Sequence, residues 1–525
     1  MMRTFLKVAG HATLAVLGAS IAMAQSTNSA AAVDGRWDAI LTSQGQPIPF
    51  RLDISGSGPT LKGTLYDGSR PNDGTSSASF EDNKLILKLD QYQTTIVATL
   101  QDGKLTGNVI NTRVIPANAA APKAAEADES ATDAERLTKV EFGENPYTRS
   151  SFQAVRHVDT AVEEPKNVPQ IGGSWIIPLS APSVKGENAF RFIVKQEGAY
   201  VEASILRVDG DTGAYSGTYK DGKWLLSHYD GGRPGVIDVS QASDGSLEIA
   251  QKGGLAKRPV ARDGSNPAAN RRRQAAGDAP SATGDAAANG DHASQNDAAQ
   301  AQAGPSDVVG TQDSGRYSRK LIAYRPDVEQ AKGLPEPDDY TTHTGVRDPN
   351  EIFKFKFPDD QGNIVSNEDA RFKGKAIIAM VTGTWCANCH DEAQYLVQLY
   401  AKYHSKGLEI VALDFEEPDQ QKGLARERAF IKHYGVKYTY LIAGDRAQVW
   451  EKIPYFTNLN SWPTIIFIGR DGKVKATHTG FASPASGEFY DQLKAEFESN
   501  VKKLLSEKAP QNLAAASAAP GKAGQ

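Results

Sequence analysis

The chain has 525 residues, of which 39% are hydrophobic and 23% charged, and its formal net charge is -5. That length allows about three domains at ~150 residues each, and the composition excludes a multi-span helical membrane protein. The acidic balance gives no basic face for a nucleic-acid partner, and only two cysteines exclude a disulfide-stapled scaffold.

Residues 1–24 read as an export signal. Arg3 and Lys7 give a positive start, and the apolar run Val8 to Ala22 is shorter than the ~20 residues of a spanning helix. Ala22-Met23-Ala24 is a small-x-small cleavage site. Cleavage after Ala24 predicts a periplasmic protein with no transmembrane span left.

Residues 33–158 and 170–327 form a weak internal repeat. Gly35-Arg36-Trp37 opens one unit and Gly173-Ser174-Trp175 the other. The turn Asp82-Asn83-Lys84-Leu85 matches Asp221-Gly222-Lys223-Trp224, and Asp102-Gly103-Lys104-Leu105 matches Asp244-Gly245-Ser246-Leu247. Each unit closes alike, on Ala154-Val155-Arg156 and on Ala323-Tyr324-Arg325. Alternating apolar positions, such as Phe50, Leu52 and Ile54, predict short strands joined by tight turns. The expected fold is a small antiparallel barrel or sandwich per unit, with Trp37 and Trp175 as core anchors. Insertions at about 115–135 and 253–315 are rich in Ala, Gly and polar residues. They carry too few apolar residues to offset ordering entropy and are expected to be disordered, like the tail 507–525. The run Arg271-Arg272-Arg273 reads as a solvated linker. The similar strings Tyr66-Asp67-Gly68-Ser69-Arg70-Pro71 and Tyr229-Asp230-Gly231-Gly232-Arg233-Pro234 fall out of register in the repeat and read as turns.

From about residue 345 to 506 the pattern becomes α/β. Ala376 to Val381 and Leu408 to Leu413 are unbroken apolar runs, the mark of strands buried on both faces. Helical spacing follows Cys389, and a polar helix is predicted over 421–434. A third strand is predicted over 438–442, a hairpin over 464–479 about Asp471-Gly472, and a closing helix over 488–505. This order predicts a three-layer α/β sandwich.

Trp385-Cys386-Ala387-Asn388-Cys389 sits between a buried strand and a helix, and Trp462-Pro463-Thr464 precedes the fourth strand. Together with the stretch Gly383 to Glu417, these motifs resemble the TlpA/ResA-like thiol-disulfide oxidoreductases, members of the thioredoxin-fold superfamily. The resemblance covers under a third of the chain. It implies a redox-active Cys386–Cys389 pair and no other cofactor. Two cysteines at i and i+3 can close a disulfide on the first helical turn, and the helix N-terminus favours a thiolate. Cys386, the more exposed, is expected to attack, and Cys389 to resolve the mixed disulfide. The resemblance implies a cis-proline at Pro463 and an acidic residue after the second strand, with Glu417 placed there and Glu416 its competitor. Trp385, Trp462 and Thr464 are the candidate substrate-binding residues. Asp391 and Glu392 suit a helix start but oppose a thiolate if they face Cys386.

Rival readings remain. Cys386 to His390 also spells a haem-attachment string, yet the methionines are at positions 1, 2, 23 and 380 and none follows it. His390 therefore reads as a helix-surface residue. A peroxiredoxin-like enzyme shares the fold, but its Pro-x-x-x-Thr-x-x-Cys string is missing, with Ala379 and Gly383 in those places. A β-domain binding protein with an accessory thioredoxin module is the third reading. The leading one is a periplasmic protein-disulfide reductase. The resemblance implies disulfide-containing envelope proteins, apocytochromes among them, as substrates. It also implies a membrane thiol-electron donor of the CcdA or DsbD kind.

Overall fold

The computed structural model describes residues 30–43, 45–72, 74–111, 148–159, 165–252, 318–417 and 423–508. The export signal, both predicted insertions, the Arg271-Arg272-Arg273 run and nearly all of the tail lie outside them. Among the described residues no helix is long and apolar enough to cross a membrane.

The first β unit is a nine-stranded antiparallel sheet. Its opening strand Gly35–Ser43 pairs with the next strand Gln46–Ser55 and with the last, Thr148–Arg156. Alternation sends Trp37, Ala39 and Leu41 inward, where they meet Leu52, Leu65, Leu87 and Phe152. The second unit is an eight-stranded meander from Gly173–Pro178 to Ser318–Ala323. Paired bonds of 2.8 Å between Ile176 and Tyr324 bring its first and last strands together into a near-barrel. In both units the first strand thus meets the last. The tryptophans also match. Each indole N–H donates 2.8 Å to the carbonyl four residues earlier, Val33 for Trp37 and Ile171 for Trp175. Each ring lies under the closing arginine, Arg156 at 4.2 Å and Arg325 at 3.9 Å.

The C-terminal domain has a five-stranded mixed sheet in the order β3-β2-β1-β4-β5, where β1 is Ala376–Thr382, β2 Leu408–Glu416, β3 Thr439–Asp445, β4 Thr464–Ile468 and β5 Val474–Thr479. Strands β1, β2 and β3 run parallel, and β4 and β5 are antiparallel to their neighbours. Helices α1 (Ala387–Tyr403), α2 (Ala425–Tyr434) and α3 (Glu488–Ser506) complete the layers. Both sheet faces are buried. Ile378 and Met380 face the core that holds α1 and α3, while Ala379 and Val381 face the core that holds Trp385 and both cysteines. The second strand is three residues longer than predicted, and α2 starts at Ala425, four residues later than predicted.

The three domains pack on one another. Phe50 meets Tyr229 edge-on at 4.9 Å, joining the two β units. Leu206 of the second unit enters the core shared with α1 and α3.

Candidate active site

Strand β1 delivers its C-terminal end into Gly383-Thr384-Trp385, and the chain then turns into α1. Cys386 is the N-cap of that helix, in extended backbone. Its sulfur accepts from the Cys389 N–H at 3.3 Å, and its carbonyl accepts from the same N–H at 3.0 Å. The two cysteines are disulfide-bonded with Cα atoms 5.2 Å apart. Cys386 is 6% exposed and Cys389 is fully buried. A sulfur that caps a helix meets unsatisfied N–H groups and the positive end of the macrodipole, so its anion is favoured. The outer sulfur is therefore the one suited to attack.

The Trp462–Pro463 peptide is cis. The register of β1 with β4 sets Val381 opposite Thr464, so Pro463 faces the end of β1 that leads to Cys386. The Pro463 carbonyl accepts from the Gly480 N–H at 2.8 Å. Trp462 and Trp385 lie with ring centroids 5.5 Å apart, and the Trp385 indole donates to the Phe415 carbonyl at 2.8 Å. Thr464 differs from its expected role. Its buried hydroxyl donates to Ser461 O at 2.7 Å, so the side chain braces the proline loop instead of lining a groove.

The acidic residue joined to the active-site turn is Glu416. It accepts from the Thr384 N–H at 2.8 Å and from the Thr384 hydroxyl. Glu417, the favoured candidate in the sequence, instead pairs with Arg426 at 3.1 Å. Arg426 also bonds Glu416 at 2.5 Å and Thr384 Oγ1 at 2.8 Å. Helix spacing sets Glu392 on the same face as Cys389, three residues on. Its carboxyl is fully buried with no hydrogen-bond partner, and burial raises it well above the usual carboxylate range. It is thus a buried carboxyl one helical turn beyond Cys389. The sequence signal for it was the i, i+3 spacing, which a helix-start reading of Asp391-Glu392 passed over.

His390 is not a surface residue. It is stacked on Tyr92 of the first β unit at 4.4 Å and lies edge-on to Phe430 at 4.8 Å. The Thr384 carbonyl can only accept, so Nε2–H donates to it at 2.8 Å, and Nδ1 accepts from the Tyr434 hydroxyl at 2.9 Å. Burial lowers its pKa to about 3, so the ring is neutral. With both nitrogens engaged it is not presented as an axial ligand. Among the described residues no group of three or more His, Cys, Asp or Glu is placed to hold a metal ion.

A helix-capping disulfide facing a cis-proline loop on a mixed five-stranded sheet defines a thioredoxin-fold dithiol protein. Comparison with known proteins narrows the class. Residues 349–477 match the AhpC/TSA family. The chain is 33% identical over 150 residues to the thiol-disulfide oxidoreductase ResA of Bacillus thuringiensis (strain Al Hakam), a match spanning 29% of this chain and 74% of that protein. It is 31% identical over 126 residues to ResA of Bacillus subtilis (strain 168), spanning 24% and 64%. Solved structures of similar fold include a thioredoxin-family thiol:disulfide interchange protein of Chlorobium tepidum TLS (24% identity, TM-score 0.24, 30% of this chain and 98% of that one). Another is a secreted Mycobacterium tuberculosis disulfide oxidoreductase (20% identity, TM-score 0.21, 27% and 95%). Through its C-terminal domain the chain belongs to the ResA family of thiol-disulfide oxidoreductases.

Proposed function

We propose that the protein is a periplasmic reductase of protein disulfides. The observation that carries the reading is the Cys386–Cys389 pair on the first turn of α1, with Cys386 as the helix cap and Cys389 buried behind it. In the reduced protein the Cys386 thiolate attacks one sulfur of a substrate disulfide, forms a mixed disulfide and displaces a substrate thiolate. Cys389 loses its proton, attacks the Cys386 sulfur and displaces the second substrate thiolate. The substrate gains two electrons and two protons, and the protein is left with its own disulfide. The Glu392 carboxylate, one helical turn on, is the proposed acceptor of the Cys389 proton. In an oxidising compartment the cycle needs a dithiol donor. The proposed donor is a membrane thiol transporter of the CcdA or DsbD kind, and the proposed substrates are envelope proteins with reducible disulfides, apocytochrome cysteines among them. Trp385, Trp462 and the backbone around Pro463 are the proposed contact surface for the substrate chain.

Redox titration of the full chain, read by intact mass after thiol alkylation, tests the direction. A midpoint at or below about -250 mV marks a reductase. A midpoint near about -120 mV marks an oxidant and ends the proposal. Cys389→Ser tests the substrate class, because it stops the second step and should trap envelope proteins on Cys386. Recovery of none would count against protein substrates.

A further inference from the structure

The bend Tyr229–Pro234 of the second β unit lies against the dithiol turn. It follows the strand Lys223–His228 and is braced by its own Asp230. That carboxylate accepts from the backbone N–H groups of Gly232 at 2.8 Å and Arg233 at 2.7 Å, and from Arg233 Nε at 3.0 Å. The guanidinium is thereby held with its other nitrogens aimed at α1. Nη1 donates to Asn388 Oδ1 at 2.9 Å, and Nη2 reaches Asp391 Oδ2 at 3.3 Å. Asn388, which stands between the two cysteines, is held at its other end as well. Its Nδ2 donates to the carbonyl of Asp209 at 2.7 Å. The segment that carries Asp209 is itself fastened to the C-terminal domain. Gly210 bridges to Phe481, and Asp211 accepts from the Ser483 N–H at 2.7 Å and the Ser486 hydroxyl at 2.6 Å. Gly210 has φ +116°, and a Cβ there would collide with Asn388 and the Phe481 carbonyl, so this approach requires glycine.

We propose that Arg233 is a positioning residue of the dithiol. Through Asn388 it fixes the turn between the cysteines, and beside Asp391 it holds a cation at the start of α1 that favours the Cys386 thiolate. The β unit is then part of the redox centre and sets its reactivity. Two observations carry this independently. Both ends of the Asn388 amide are bonded to the same foreign domain, so the loop conformation depends on docking. Asp391 lies in the second turn from the N-cap and has a cation from the β unit beside it. Burial pushes the Asp391 carboxyl up to about 7, with Arg233 pulling against that rise.

The test uses the full chain in two measurements at fixed neutral pH. One is the iodoacetamide alkylation rate of reduced Cys386 in a Cys389→Ser background. The other is the reduction potential of the intact pair against a thiol redox buffer. Arg233→Gln removes the cation at the start of α1 and its hold on Asn388, while burial leaves Asp391 protonated. It should slow alkylation by about three- to tenfold, the effect of raising a thiol pKa by roughly half to one unit. It should also make the pair more reducing, because the reduced form loses thiolate stabilisation. Asp391→Asn should move both quantities the opposite way, and Arg233→Lys should lie between wild type and Arg233→Gln. Arg233→Gln with Asn388→Ala should fall short of the sum of the single effects. Unchanged rate and potential in Arg233→Gln would overturn the proposal. So would faster alkylation, which would make the bend a mere cover. If Arg233→Gln fails to fold, Asp391→Asn carries the test, and no effect there overturns the proposal equally. The proposal rests on dithiol chemistry but not on the direction of electron flow. A potential that marks an oxidant would end the reductase reading and leave this one standing.

Discussion

Arg426 is 1% exposed and lies between Glu416, Glu417 and Thr384. Burying such a group is costly, and the cost is met only while each charge keeps its partner. Arg426→Met should therefore destabilise the C-terminal domain by about 3–5 kcal/mol, because it strands the Glu416 carboxylate. Adding Glu416→Gln should recover part of that loss, since a neutral amide no longer needs the cation. Urea unfolding of the two variants followed by near-UV signal checks both statements. Equal stability of Arg426→Met and wild type would mean that the carboxylate finds another partner. The choice between Glu416 and Glu417 could not be read from residue order. Strand β3 carries an extra residue, Ala443, opposite the Asp414–Phe415 step, so β2 keeps its own alternation up to Glu416. Because β2 is buried on both faces along its whole length, no in–out pattern in the sequence tells which of the two acids turns inward. The cysteines and Pro463 were legible because their chemistry is tied to a spacing and a motif. His390 was not, since part of its cover is Tyr92, almost 300 residues earlier in the chain.

The tight turns of the β units are the elements that the sequence announced most directly. Asp82-Asn83, Asp102-Gly103 and Asp221-Gly222 all have both central residues at positive φ, the geometry that a two-residue hairpin with right-handed twist requires. At Gly103 and Gly222 an added Cβ would meet nothing within 4 Å, so any penalty is purely conformational. Gly103→Ala and Gly222→Ala should each cost about 1 kcal/mol. Gly103→Asn should cost less, because Asn tolerates the left-handed region. Thermal unfolding of the three variants checks this, and an Ala cost equal to the Asn cost would contradict it. The matched indole bonds and cation contacts of Trp37 and Trp175 show how much of the repeat a few spaced residues encode. The string Tyr229–Pro234 shows the limit. It reads as a bend and is one, but a bend has a second face. Nothing in its spacing tells that Arg233 reaches Asp391, which lies 158 residues further on.

The whole molecule is organised around the first turns of α1, which receive Tyr92 from one β unit and Arg233 and Asp209 from the other. Packing three domains onto one helix end buries charge, and that burial sets the response to pH. Burial pushes Glu187 up to about 7, with Asp209 adding to the shift. It pushes Asp391 up to about 7 and Glu427 up to about 8. Unfolded carboxyls titrate near about 4. Between these values the folded chain holds protons that the unfolded chain has released, so stability falls as pH rises through the folded pKa. His228 acts in the same direction. Burial lowers it, but Asp230 and Asp67 outweigh burial and raise it, and its contribution too is lost as pH rises. His390 acts oppositely, because the folded chain keeps it neutral near 3 while the unfolded ring charges below about 6.5. Asp230 also opposes, but only in strong acid, since Arg233 and His228 hold it far below the carboxylate range against the pull of burial. The opposing terms meet below about pH 6.5, and above it the raised groups act unopposed. Apparent melting temperature should therefore fall by a few degrees from about pH 6.5 to about pH 8.5. Glu187→Gln should flatten that slope. Glu187 accepts from the Val208 N–H at 2.6 Å and from Ser183 Oγ at 3.0 Å, and the Gln oxygen can keep the first bond. Its side chain holds the segment that leads to Asp209, so the flattening would register at the same junction that grips Asn388. A pH slope unchanged in Glu187→Gln would show that this carboxyl is not among the groups responsible.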